Sequence, residues 1–145
     1  MPAQTLAGKV VVVGGGAKNL GGLISRTLGA DGARIAVHYN SGATAGAAEE
    51  TVAAVKRSGG DAFAIQGDLT KVQELVRLFD ETVRRFGTVN IAINTVGKVL
   101  KKPIVETSEE EYDEMFAVNS KAAYFFIREP QGGCRTTATA RSLPC

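Results

Sequence analysis

The part of the chain best equipped for chemistry runs from Val10 to Gly22 and reads Val-Val-Val-Val-Gly-Gly-Gly-Ala-Lys-Asn-Leu-Gly-Gly. A glycine run lets the backbone turn sharply and come close to a ligand, because no Cβ blocks either. A helix that starts where such a loop ends aims its free N–H groups outward, and those groups favour a phosphate. Lys18 brings an ammonium to the loop. Asn19 accepts the left-handed backbone more readily than other non-glycine residues. Three further turns follow predicted strands: Asn40-Ser41-Gly42, Gly67-Asp68-Leu69 and Asn94-Thr95-Val96-Gly97.

The elements that must position these residues follow from apolar spacing. Val10 to Val13 is an unbroken β-branched run, the pattern of a strand buried on both faces. After Gly21, the residues Leu23, Ile24, Thr27 and Leu28 fall on one face of a helix. Arg34 to Tyr39 is a second strand, and Thr44 to Arg57 an Ala- and Glu-rich helix that stops at Gly59-Gly60. Ala62 to Ile65 is a third strand. Thr70 and Gln73 form a capping-box pair ahead of a helix marked by Val72, Leu75, Val76, Phe79, Val83 and Phe86, with Gly87 as its stop. Val89 to Ile93 is a fourth strand. Beyond a loop from Lys98 to Pro103, a second capping box, Ser108 and Glu111, opens a helical tract carrying Tyr112, Met115, Phe116, Val118, Tyr124, Phe125 and Phe126.

Strands that alternate with helices call for a parallel sheet covered on both faces. Right-handed crossovers then give a doubly wound α/β sheet of strand order 3-2-1-4. From Pro130 to Cys145 the only large apolar residue is Leu143, so this segment cannot offset its ordering entropy and is expected to be disordered. The expected organisation is one nucleotide-binding domain over residues 1–129 and a tail over 130–145.

Composition narrows the function. For 145 residues with 44% hydrophobic content, one globular domain is expected. No apolar run approaches a membrane span and no leader pattern opens the chain, which makes the cytoplasm the default location. A net charge of +2 with scattered basic residues gives no reason to expect a nucleic-acid partner. Cys134 and Cys145 have no His or Cys at metal spacing and are read as reduced thiols without function, so no metal is expected.

The glycine loop resembles that of the short-chain dehydrogenase/reductase family, Thr-Gly-x-x-x-Gly-x-Gly, better than the common Gly-x-Gly-x-x-Gly. Gly14 stands for the Thr, Gly15 for the first Gly, Asn19 for the middle one and Gly21 for the last. The resemblance extends over Leu6 to Glu129 through Asp68-Leu69, through Asn94 and Gly97 in a variant of Asn-Asn-Ala-Gly, and through Val118-Asn119-Ser120. It implies a Rossmann-type fold and hydride transfer between a nicotinamide coenzyme and a small carbonyl or alcohol substrate. Gly15, Lys18, Asn19, Leu20 and Gly21 would then serve the phosphates, Asp68 and Leu69 the adenine, and Asn94 and Gly97 the ribose of the nicotinamide. Asn119 would be the catalytic Asn that holds a water in a proton relay. Full-length relatives of this kind are commonly homo-oligomers.

An NAD preference needs a carboxylate at the end of the second strand to bind the ribose 2′-OH. His38, Tyr39, Asn40 and Ser41 occupy that place and none is acidic. Lys18 sits where NADP-preferring members carry a base, which suits a phosphate, with Asn40 and Ser41 as neutral donors. NADP(H) is therefore expected over NAD(H).

The family's acid/base pair, Tyr-x-x-x-Lys, is absent. Tyr39 leads to Ala43, Tyr112 to Phe116 and Tyr124 to Arg128. An unassisted Tyr titrates near pH 10 and is a poor base at neutrality. The expectation is an oxidoreductase by descent that is inert as this chain, the alternative being an NADP(H)-binding module without turnover. The abrupt change after Glu129 fits a frame shift or mis-splicing; a genuine short protein is the other history. Strand 4 at a sheet edge and the apolar face of the last helix (Phe125, Phe126) would leave the chain poorly soluble.

Overall fold

The computed structural model describes residues 4–132, with side chains through Pro130. Four parallel strands, β1 (Val10–Gly14), β2 (Arg34–Tyr39), β3 (Asp61–Gln66) and β4 (Ile91–Asn94), form one sheet in the order β3-β2-β1-β4. The helices are α1 (Asn19–Ala30), α2 (Ala45–Arg57), α3 (Val72–Phe86), α4 (Glu109–Phe116) and α5 (Ala122–Gly132). A π-helical turn, Ala117–Lys121, joins the last two. This is the Rossmann-like arrangement expected from the alternation of strands and helices, in the expected strand order.

β1 is buried along its whole length because both faces are covered. Val11 and Val13 pack with Ile35, Val37, Val52 and Val55 on the α1–α2 side, while Val12 packs with Phe63, Leu75, Phe79 and Phe126 on the α3–α5 side. That division puts the β-branched run at the centre of two apolar layers, which is why it carries no polar alternation.

Several expectations are corrected. The buried face of α1 is made of Gly21, Gly22, Ser25 and Gly29; Ile24 and Leu28 are half-buried and Leu23 is 63% exposed. Small residues let α1 sit close to its neighbours: a Cβ on Gly29 would meet Val55 at 2.6 Å. The Thr70–Gln73 capping box does not form, because Thr70 donates both its hydroxyl and its N–H to Asp68 and α3 starts at Val72 with no side-chain cap. The core face of α3 is Leu75, Leu78, Phe79 and Thr82, with Val83 turned to solvent. Phe126 is 1% exposed, edge-on to Phe79, and Phe125 is half-buried. The outward aromatics are instead Tyr112, Phe116 and Tyr124.

Other expectations hold. Gly87 ends α3 in the left-handed conformation at φ 87°, as a C-terminal glycine does. The capping box of Ser108 and Glu111 is complete at the start of α4. β4 lies at the sheet edge. α5 continues through Pro130 to Gly132, past the expected break at residue 130. The remainder of the expected disordered tail, Cys134 and Cys145 included, lies outside the described residues. Among the described residues no helix is long and apolar enough to cross a membrane.

Candidate functional site

The strand tips and the start of α1 enclose a cleft of about 520 Å³. Gly15, Lys18, Asn19, Leu20 and Gly21 line it from the glycine loop, Asn40 and Ser41 from the end of β2, Asp68 and Leu69 from beyond β3, and Gly97 from beyond β4. The fold thus gathers the expected residues except Asn94 and Asn119, which do not line the cleft.

The loop's backbone is held rigidly. Gly15 has φ +71°, and Asn19 is the one non-glycine residue of the described chain with positive φ, at 53°. Asn19 therefore takes the conformation for which its residue type was noted. A Cβ on Gly21 would fall 2.0 Å from the Gly15 carbonyl oxygen, so loop and helix can approach this closely only with glycine there. The first closed bond of α1 runs from Gly22 N–H to the Lys18 carbonyl. The N–H groups of Asn19, Leu20 and Gly21 precede it and remain for an anion. No acidic residue occupies the first turn of α1 to compete.

Four side chains missed at the sequence level hold the loop. The Thr95 hydroxyl donates to the Gly14 carbonyl at 2.7 Å and reaches that of Gly15 at 3.3 Å. Ser25 donates to the Gly16 and Gly21 carbonyls at 3.1 and 2.9 Å. Thr51, from α2, donates to the Ala17 carbonyl at 2.7 Å. Gly15 N–H donates to His38 Nδ1 at 3.0 Å, and Gly16 N–H donates to the His38 carbonyl at 2.9 Å. Ser25, Thr51 and His38 are fully buried. The pattern that could have flagged them is a lone hydroxyl or imidazole within an otherwise small or apolar buried face.

Burial lowers the pKa of His38 below its usual value, opposed by its hydrogen bond to Gly67. The hydroxyl of Thr70 is the main cause that lowers the pKa of Asp68, followed after a desolvation effect by the Thr70 N–H. Asp68 is therefore a carboxylate at neutral pH. Both Thr70 bonds fall on Oδ1, which leaves Oδ2 for an outside donor.

Asn94 and Asn119 work behind the cleft wall. Asn94 Oδ1 accepts from Val96 N–H at 3.0 Å. Asn119 accepts from the Lys98 N–H at 2.9 Å and donates to the Lys98 carbonyl at 2.8 Å, so its amide is paired at both ends with one residue of the loop after β4. Asn119 lies within the π-helical turn, a local form found often at functional sites. Lys98 and Glu114, both cleft residues, are paired with each other at 2.6 Å. Among the described residues Lys18 enters no such pair and stands exposed at the cleft mouth.

A second cleft of about 590 Å³ runs along the outer side of β3 and α3. Its charges are largely matched, Arg77 with Glu74 and Arg85 with Glu81, and the glycine loop does not reach it.

A family model described as short chain dehydrogenase matches residues 9–130. Elsinochrome reductase 1 of Elsinoe fawcettii is 36% identical over 129 residues, which are 89% of this chain and 48% of that protein. A protein of Burkholderia cenocepacia assigned as a dehydrogenase and solved with bound NADP is 59% identical at a TM-score of 0.84, over 89% of this chain and 49% of that one. A blue fluorescent protein from a metagenomic library, solved with NADPH, is 31% identical at a TM-score of 0.83, over 88% and 51%. The chain thus spans about half the length of the proteins it matches.

Proposed function

The chain belongs to the short-chain dehydrogenase family, and on that footing we propose that its cleft binds NADP(H) as the coenzyme half of a carbonyl reductase or alcohol dehydrogenase. The observation that carries the reading is the joining of Lys18, Asn40 and Ser41 in one cleft with the free N-terminus of α1. A dinucleotide with a 2′-phosphate needs an anion-binding helix start and, beside it, a basic, carboxylate-free strand tip. NADP and NADPH in two similar structures support the same coenzyme.

The residues take the following roles. N–H groups of Asn19, Leu20 and Gly21 hold the pyrophosphate, with Gly15 allowing its close approach. Lys18, Asn40 and Ser41 hold the 2′-phosphate. Asp68 accepts at Oδ2 from the adenine amino group, and Leu69 backs it. Asn94 and Gly97 shape the wall on the nicotinamide ribose. When bound, the coenzyme supplies or accepts a hydride. Asn119 holds the Lys98 loop in place, and the water-holding role implied by the resemblance remains assigned to it.

A second reading is binding of the coenzyme without turnover. Titration of the full chain with NADPH and with NADH, followed by coenzyme fluorescence, tests the proposal. Tighter binding of NADPH is expected; equal or tighter binding of NADH would overturn it. An NADPH-oxidation assay over a panel of carbonyl compounds separates an enzyme from a binding module.

A further inference from the structure

His38 is 1% exposed and sits between the tips of three strands. Nδ1 faces the Gly15 N–H at 3.0 Å and Nε2 faces the Gly67 carbonyl at 2.7 Å. Each partner can play only one part: an amide N–H donates and a carbonyl accepts. The ring must therefore be neutral, with its proton on Nε2 and a bare Nδ1. Its own carbonyl holds the next amide of the loop, Gly16, so one residue fixes two successive N–H groups of the glycine turn.

We infer that His38 is a positioning residue of the phosphate cradle: as the Nε2-protonated neutral imidazole it pins the Gly15 amide, directs that N–H away from the ligand, and leaves anion binding to Asn19, Leu20 and Gly21. The inference rests on the coenzyme reading for its functional consequence, but not for its geometry. A protonated ring would set an Nδ1–H against the Gly15 N–H, two donors facing each other in a buried place. From α3, Arg77 opposes a positive ring; from beyond β3, Asp68 favours one; from β1 and the loop the ring meets only backbone amides. Burial outweighs Asp68, and the neutral ring prevails.

The test uses the full chain, its His38→Leu variant and its His38→Gln variant, whose amide again offers one donor and one acceptor. Nitrogen-15 NMR of the histidine ring in the wild-type chain, which has a single histidine, should show Nε2 protonated and Nδ1 bare at neutral pH. Hydrogen exchange at the Gly15 amide should be slow in the wild type and His38→Gln, and faster by about tenfold or more in His38→Leu. NADP binding measured by calorimetry should weaken about tenfold in His38→Leu and recover to within about threefold of wild type in His38→Gln. A doubly protonated or Nδ1-protonated ring overturns the inference, as does unchanged Gly15 exchange in a folded His38→Leu chain. If none of the three chains binds NADP while the ring and exchange results hold, the coenzyme reading fails and the clamp stands.

Discussion

The amide of Gly15 donates to the imidazole of His38 across a separation of 23 residues, at 3.0 Å. Opposite it, the carbonyl of Gly14 accepts from the hydroxyl of Thr95, 81 residues away. The glycine loop is thus fastened on both sides to neighbouring strand tips. These ties are internal to the chain, and preorganisation of this kind lowers the cost of ordering on binding.

The Thr95 tie predicts a split between two substitutions. Thr95→Val removes the hydroxyl donor and leaves the Gly14 carbonyl with the Thr95 N–H alone, which should destabilise the chain by about 1 kcal/mol, the net worth of one hydrogen bond. Thr95→Ser keeps the hydroxyl and should cost less than half as much. Urea unfolding followed by circular dichroism measures both.

Gly21 tolerates no side chain. A Cβ there would lie 2.0 Å from the Gly15 carbonyl oxygen and 2.7 Å from the Thr95 hydroxyl. Gly21→Ala should cost about 3 kcal/mol, at the upper end for overpacking, because the obstacle is backbone. NADPH binding should fall beyond detection in whatever fraction still folds.

Coenzyme preference should move at the cleft rim. Lys18→Ala removes the cation proposed for the 2′-phosphate, and NADPH affinity should fall about tenfold, the worth of one charge-assisted contact. NADH affinity should stay within about twofold. Asn40→Asp places a carboxylate at the end of β2, where it repels a 2′-phosphate and accepts from a 2′-OH. Fluorescence titrations of that variant should show the preference reversed toward NADH.

Stability should depend on pH through His38. Its folded pKa lies below the unfolded value of 6.5. Above pH 6.5 both states carry the neutral ring and its contribution is fully present. As pH falls below 6.5 the unfolded chain takes up a proton that the folded chain refuses, so stability drops until the folded pKa is passed. Urea midpoints measured downward from neutrality should show this loss, and His38→Gln should flatten it.

The layered sheet was legible because apolar runs and glycine stops mark it directly. Arg34–Tyr39 matches the observed β2 residue for residue, and the strand order follows from crossover handedness. The grouping of Gly15, Lys18, Asn19, Leu20, Gly21, Asn40, Ser41, Asp68, Leu69 and Gly97 was legible too, since strand ends of a parallel sheet converge. What stayed hidden is the inner support. Ser25 and Thr51 look like surface hydroxyls in a helix, yet they are buried because carbonyls of the glycine loop need donors. Thr70 resembled a helix cap, but Asp68 two residues before it captures its hydroxyl. The α1 face was misassigned because close packing selects small residues, which hydrophobic periodicity does not register.

The approach of Gly21 to the Gly15 carbonyl constrains how this cleft can diversify. Hydrogen is the only substituent that fits there, so the floor beneath the phosphates is drawn in main-chain atoms and stays the same whatever side chains surround it. Replacements that retune which coenzyme is accepted are therefore expected at the rim, where they leave the place where it rests unchanged.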